Sequence, residues 1–112
     1  MAKFEKVVIG DFNTIVYELD KAIREGGVSM NLVEESTYQS GDVLVDTRVY
    51  DKYFMRNSSR CSLSVTVVSS GEEVYVSAIG AGGGQGVFFN FSLGAEAEMV
   101  NLVRSALARM GF

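Results

Sequence analysis

Residues 43–53 read Val43-Leu44-Val45-Asp46-Thr47-Arg48-Val49-Tyr50-Asp51-Lys52-Tyr53, an alternation that points to a sheet. Side chains of a strand point alternately to two faces. Val43, Val45, Thr47 and Val49 therefore share one face, and Leu44, Asp46, Arg48, Tyr50 and Lys52 share the other. An apolar face backed by a partly polar one is the pattern of a half-buried antiparallel strand. Ser40-Gly41-Asp42 precedes the stretch as a turn, and Arg56-Asn57-Ser58-Ser59 follows it as another. Downstream, Leu63, Val65 and Val67 alternate with Ser62, Ser64 and Thr66, and Ser69-Ser70-Gly71-Glu72 signals a hairpin. Residues 28–36, 74–79 and 87–93 add further extended segments.

Helical spacing brackets this run of strands. A short strand over 3–9 breaks at Gly10-Asp11, where Asp11 or Asn13 can cap a helix by accepting bonds from its first amides. Phe12, Ile15, Val16, Leu19 and Ile23 then fall on one helical stripe, so the spacing predicts a helix over 12–25. Gly26-Gly27 is expected to end it in the left-handed conformation. A second helix begins near Ser92 or Gly94, carries Met99, Leu102, Val103, Ala106, Leu107 and Met110 on one stripe, and stops at Gly111. The order is strand, helix, five strands, helix. Short links between successive strands favour antiparallel hairpins. The expected fold is α+β: one domain over 1–112, in two layers, with a curved antiparallel sheet of about six strands and two helices on one face.

Composition narrows function by exclusion. The net charge of −4 offers no basic face for phosphates, so no nucleic-acid partner is expected. Without histidine there is no Ser-His-Asp triad, no Cys-His dyad and no histidine metal site. No metal and no cofactor is expected. Cys61, the single cysteine, cannot form an intramolecular disulfide and reads as a small buried residue at the start of a strand. The first six residues hold no apolar segment of a signal peptide, and no stretch approaches a membrane span, so the expectation is a cytoplasmic chain without a membrane partner.

Three groups of residues invite a functional reading. Residues 74–95 contain no Asp, Glu, Lys or Arg. On a strand over 87–93, neighbouring Phe88 and Phe89 would face opposite sides, and one helix layer could not cover both. Tyr75, Val87, Phe88, Phe89 and Phe91 are therefore candidates for a homodimer interface. The competing readings are central strands covered within the chain and a pocket for an apolar ligand. The glycine-rich segment 80–86 lacks the Gly-Lys-Ser/Thr of a nucleotide loop and fails the Gly-x-Gly-x-x-Gly spacing at Gln85. It reads as a flexible hairpin, in which Gln85 alone has a side chain with both donor and acceptor. Finally, Arg48, Tyr50 and Lys52 share a face with Asp46, either as a solvated charge ladder or as part of an anion site. Arg48 and Tyr50, with Tyr53, Arg60 and Gln85, could supply the polar contacts of a cavity between sheet and helices. The Glu34-Glu35 and Glu72-Glu73 pairs point apart on strands and form no acid/base couple.

Several of these residues recur together elsewhere. Gly41-Asp42 ahead of a strand, Thr47-Arg48-Val49-Tyr50 followed by Tyr53, Arg60, Ser62-Leu63, Val65-Thr66, Val76-Ser77-Ala78-Ile79, Gly83-Gly84-Gln85 and Phe88-Phe89 resemble a family of short uncharacterised proteins from Gram-positive bacteria, a domain of unknown function. The resemblance spans most of the chain and transfers no catalytic role. It implies that the Arg48/Tyr50 strand and the Gly83-Gly84-Gln85 turn belong to one shared design. This chain has Gly-Gly-Gly-Gln-Gly where a Gly-Gly-Ser-Gln turn is expected, so it lacks that turn's hydroxyl. The functional expectation is a small interaction module acting as a homodimer. The alternative is a carrier of a small apolar or anionic ligand. No nucleophile–base couple argues for an enzyme.

Overall fold

The computed structural model describes residues 2–27, 29–54, 59–82 and 89–112, with 59 and 89–93 described in backbone alone. In chain order the elements are β1 (Ala2–Ile9), α1 (Phe12–Glu25), β2 (Asn31–Ser40), β3 (Val43–Phe54), β4 (Ser59–Ser70), β5 (Glu73–Gly82) and α2 (Phe89–Arg109). The strands form one open antiparallel sheet in the order β1-β5-β4-β3-β2. The fold is α+β, an antiparallel sheet of five strands with two helices.

The turns follow from glycine. Gly41 (φ 59°) and Gly71 (φ 63°) adopt left-handed backbone that side chains disfavour, and each closes a hairpin with two residues between paired strand ends. Ser40 thus pairs with Val43 and Ser70 with Glu73. This tight closure carries β2 through the polar residues up to Ser40, past the expected end at 36. At an edge strand exposed on both faces there is no apolar alternation to announce it.

α1 occupies the predicted span. Its N-cap is Asp11, whose carboxylate accepts from the Thr14 amide at 2.9 Å and its hydroxyl at 2.8 Å. Its C-cap differs from expectation: Gly26 remains right-handed (φ −80°) and donates to the Ile23 carbonyl at 3.0 Å.

The sixth strand expected over 87–93 is corrected. Phe89 and Phe91 lie in the first turns of α2, which continues through Gly94. Gly94 had read as a helix start, yet a glycine inside a helix costs only about 1 kcal/mol and no proline interrupts the run. The buried stripe Ala95, Met99, Val103, Ala106 and Leu107 supplies the packing that fixes α2. Val87 and Phe88 lie outside the described residues.

Both helices cover the same side of the sheet. Tyr50 of β3 reaches Asp20 of α1, Tyr50 pairs with Leu63 and Leu63 with Gly80, and Gly80 packs under α2. Leu63, Val65, Val67, Val74, Val76 and Ala78 point to this side and form the core with Ile15, Leu19 and Ile23. Cys61 is buried among them. A Cβ at Gly80 would lie 2.9 Å from the Glu96 carbonyl oxygen, so glycine lets α2 approach β5 closely. Nearby, the Gly82 amide donates to the Glu96 carboxylate. Among the described residues no helix is long and apolar enough to cross a membrane.

Candidate functional site

The polar face of β3 turns inward, toward α1. Asp46 is 3% exposed and Tyr50 1%, which removes the solvated-ladder reading of this face. The inward turn is possible because the charges are paired with one another. Arg48 Nε donates to Asp46 at 2.9 Å, Nη1 lies 3.2 Å from Asp20, and Nη2 lies 3.5 Å from Glu35 of β2. Asp20 also accepts from Arg24 Nε at 3.0 Å and from the Tyr50 hydroxyl at 2.7 Å. Burial works against the Arg48 charge, but the bond and charge of Asp46, with Asp20 and Glu35 behind it, outweigh burial and raise its pKa. Burial, reinforced by the bond to Asp20, pushes the Tyr50 hydroxyl well above the ordinary phenol range. Burial also opposes the Asp20 charge, yet its bonds from Tyr50 and Arg24 and the charges of Arg24 and Arg48 hold its pKa below the ordinary carboxyl value.

This arrangement locks neighbouring elements together. Tyr50 is a strongly held donor, and the guanidinium of Arg48 is turned toward three carboxylates of the chain. It joins α1 to β3 and β2. Among the described residues no cluster of His, Cys, Asp and Glu could hold a metal ion. A crevice of about 220 Å³ is lined by Gly26, Lys52, Phe54, Glu98 and Leu102, and one of about 240 Å³ lies between Glu18 and Lys21 of α1 and Arg109 of α2. Neither is lined by Arg48, Tyr50, Tyr53 or Arg60.

Among the described residues the opposite face of the sheet carries no helix. Along it, cross-strand register places Val7, Tyr75, Val68, Val45 and Tyr38 in one row through all five strands. Tyr38 is 65% exposed and Val7 55%. The next row is Glu5, Ser77, Thr66, Thr47 and Ser36, with Thr47 and Thr66 hydroxyls 3.2 Å apart. The third is Lys3, Ile79, Ser64, Val49 and Glu34. Across these three rows β3, β4 and β5 bear no charge. Lys3 and Glu5 stand on the β1 edge, 3.6 Å apart, and Glu34 stands on the β2 edge. The Tyr75 hydroxyl donates to Glu5 at 2.6 Å, and that bond, with Lys3, holds the Glu5 carboxyl below its ordinary value.

The expected site residues divide between the two sides. Arg48 and Tyr50 face the helices. Tyr53 and Arg60, partners across the β3–β4 hairpin, face the open side, where Arg60 bonds Asp51 at 3.2 Å and stands 6.0 Å from the Tyr53 ring. One cavity cannot receive all four. Gln85 lies outside the described residues. Of the expected interface residues, Tyr75 is on the open face, Phe89 and Phe91 are helical, and Val87 and Phe88 are not described. Sequence reasoning passed over Asp20, Glu35 and Asp46 as site residues. The signal for Asp20 was its place beside the α1 stripe, between Val16 and Ile23 at helical spacing.

No curated protein matches the chain. Among solved structures it is similar to the vertebrate conserved region of human METTL16, at 8% identity and TM-score 0.48, covering 91% of this chain and 98% of that one. TTHA0849 from Thermus thermophilus aligns at 11% identity and TM-score 0.29, covering 96% and 97% of the two chains. At these TM-scores neither likeness carries an argument. A family model matches residues 1–111, and the chain belongs to that family, the family of unknown function DUF6054.

Proposed function

We propose that this chain is a cytoplasmic interaction module that acts as a homodimer through its open sheet face. One observation carries the reading: among the described residues the five-stranded sheet is covered by helices on one side only, and the other side has an uncharged centre with charges around it. That is the anatomy of a protein interface, with a desolvated middle and a polar rim. The area suffices. Counting the three uncharged rows and the polar rows beside them, which hold Glu73 and Asp51, five strands about 4.8 Å apart and about eight residues long at 3.3 Å each span roughly 600 Å². Two such faces bury about 1,200 Å² in total, the lower end of a standard specific interface. The single cysteine, buried at position 61, needs no oxidising compartment and supports the cytoplasmic assignment. Relative to the sequence expectation, Tyr75 is kept as an interface residue and the late aromatic segment is replaced by Val7, Val45, Val68 and Tyr38.

Sedimentation at micromolar concentration tests the reading. The wild-type chain is expected to sediment as a dimer, and Val68→Lys, which puts a charge at the centre of the face, as a folded monomer. A wild-type monomer, or a V68K chain that dimerises as tightly as wild type, overturns it.

A further inference from the structure

We propose that the two copies meet with their two-fold axis running along β4, so that β1 of each protomer lies over β2 of its partner. This inference rests on the homodimer reading above and adds its geometry. A two-fold contact between the same face of two copies needs its axis in the plane of the interface. Aligned sheet packing then leaves two choices, an axis along the strands or an axis across them.

Register decides between them. With the axis along the strands, each cross-strand row lies on the same row of the partner, reversed. Val68 meets the partner's Val68, Tyr75 meets the partner's Val45, and Val7 meets the partner's Tyr38. In the third row Ile79 meets the partner's Val49, and Lys3 meets the partner's Glu34 at both edges. Within these three rows every apolar group faces an apolar group, and the charges of Lys3 and Glu34 are opposite in sign. With the axis across the strands at the middle row, the centre of the uncharged patch, the first row lies on the third. Val68 then meets the partner's Ser64, Val7 meets the partner's Lys3, and Tyr38 meets the partner's Glu34. Glu5 faces the partner's Glu5, a like-charge contact that opposes association. Packed sheets cross at about 30°, so opposed positions drift by about 5 Å at the edge strands. A lysine side chain spans that drift.

Two measurements test the orientation. Lys3, Glu34 and Glu72 are exposed, so substitutions there leave the core intact. A spin label at Glu72→Cys, in the β4–β5 turn, reads the distance between turns, while Cys61 stays buried and unlabelled. An axis along the strands places the two labels within about 25 Å, because facing sheets are about 10 Å apart and the label arms add the rest. An axis across the strands puts the turns at opposite ends, about 40 Å apart at 3.3 Å per residue. In the second measurement, K3E and E34K are each expected to weaken the dimer roughly three- to tenfold as rim charges do, and K3E/E34K to restore it to within about twofold. A long distance, or a double variant no better than the singles, overturns the orientation while the homodimer stands. A wild-type chain that stays monomeric overturns both.

Discussion

Arg48→Met isolates what holds the polar face of β3 inside. Arg48 is the cation that Asp46, Asp20 and Glu35 share, and its side chain is 17% exposed. Methionine keeps the length and apolar contact of the arginine stem while deleting the charge. The Glu35 pair is half exposed, at 46% for the glutamate, and contributes at most about 1 kcal/mol. The dominant cost is Asp46, whose side chain is 5% exposed and loses its charge partner. Breaking a buried pair from one side costs about 3–5 kcal/mol. The partial exposure of Arg48 puts the expected loss near the lower end, about 3 kcal/mol. At about 4 °C per kcal/mol for a domain of this size, the melting temperature falls by about 12 °C. Urea and thermal unfolding at one fixed protomer concentration measure it, since dimerisation itself adds stability. Adding Asp46→Asn removes the stranded charge, so R48M/D46N is expected to be more stable than R48M by about 1 kcal/mol or more. A loss under about 1 kcal/mol for R48M, or no relief in the double variant, refutes the lock.

Further expectations concern pH and the helix layer. Asp20 has a depressed native pKa, so the unfolded chain takes up its proton first, and the stability it supplies is complete above about pH 4 and lost as pH falls through the native value. Tyr50 has a raised native pKa, so its contribution is complete below about pH 10 and lost as pH rises toward the native value. A urea midpoint that falls at both ends, with the alkaline fall reduced in Tyr50→Phe, is the expected profile, and a flat profile contradicts it. Gly80→Ala forces a methyl against the Glu96 carbonyl and is expected to lower stability by about 1–3 kcal/mol. Gly94→Ala, with nothing within 4 Å of the added carbon, is expected to raise it by about 0.5–1 kcal/mol. Equal effects in urea melts would contradict the placement of α2 on β5.

Much of the fold was legible because its signals are local. The α1 stripe, the Asp11 cap and the two glycine turns each act within a few residues. The alternation of 43–53 identified β3 but left open which side faces in. That choice depends on Asp20, which meets Tyr50 across 30 positions of sequence, and no window along the chain contains both. The α2 start was misread for a different reason. A short apolar run with aromatic neighbours satisfies a strand and a helix alike, and the packing that arbitrates, Ala95 and Met99 against the sheet, is tertiary. The open face was equally hidden, since its rows join residues of five strands and exist only once register is fixed.

Fluorotyrosine NMR over a dilution series reads dimerisation face by face, because the tyrosines sample both sides of the sheet and the outer side of α1. Tyr38 and Tyr75 lie in the first row of the open face, Tyr53 lies on the same face beyond the three rows, Tyr50 is buried under α1, and Tyr17 is exposed on α1. Dimerisation through the open face moves the Tyr38 and Tyr75 resonances with protomer concentration along one dimerisation curve while Tyr17 and Tyr50 stay fixed. Movement of Tyr17 with Tyr38 and Tyr75 unchanged, or no concentration dependence at any of the four, contradicts it.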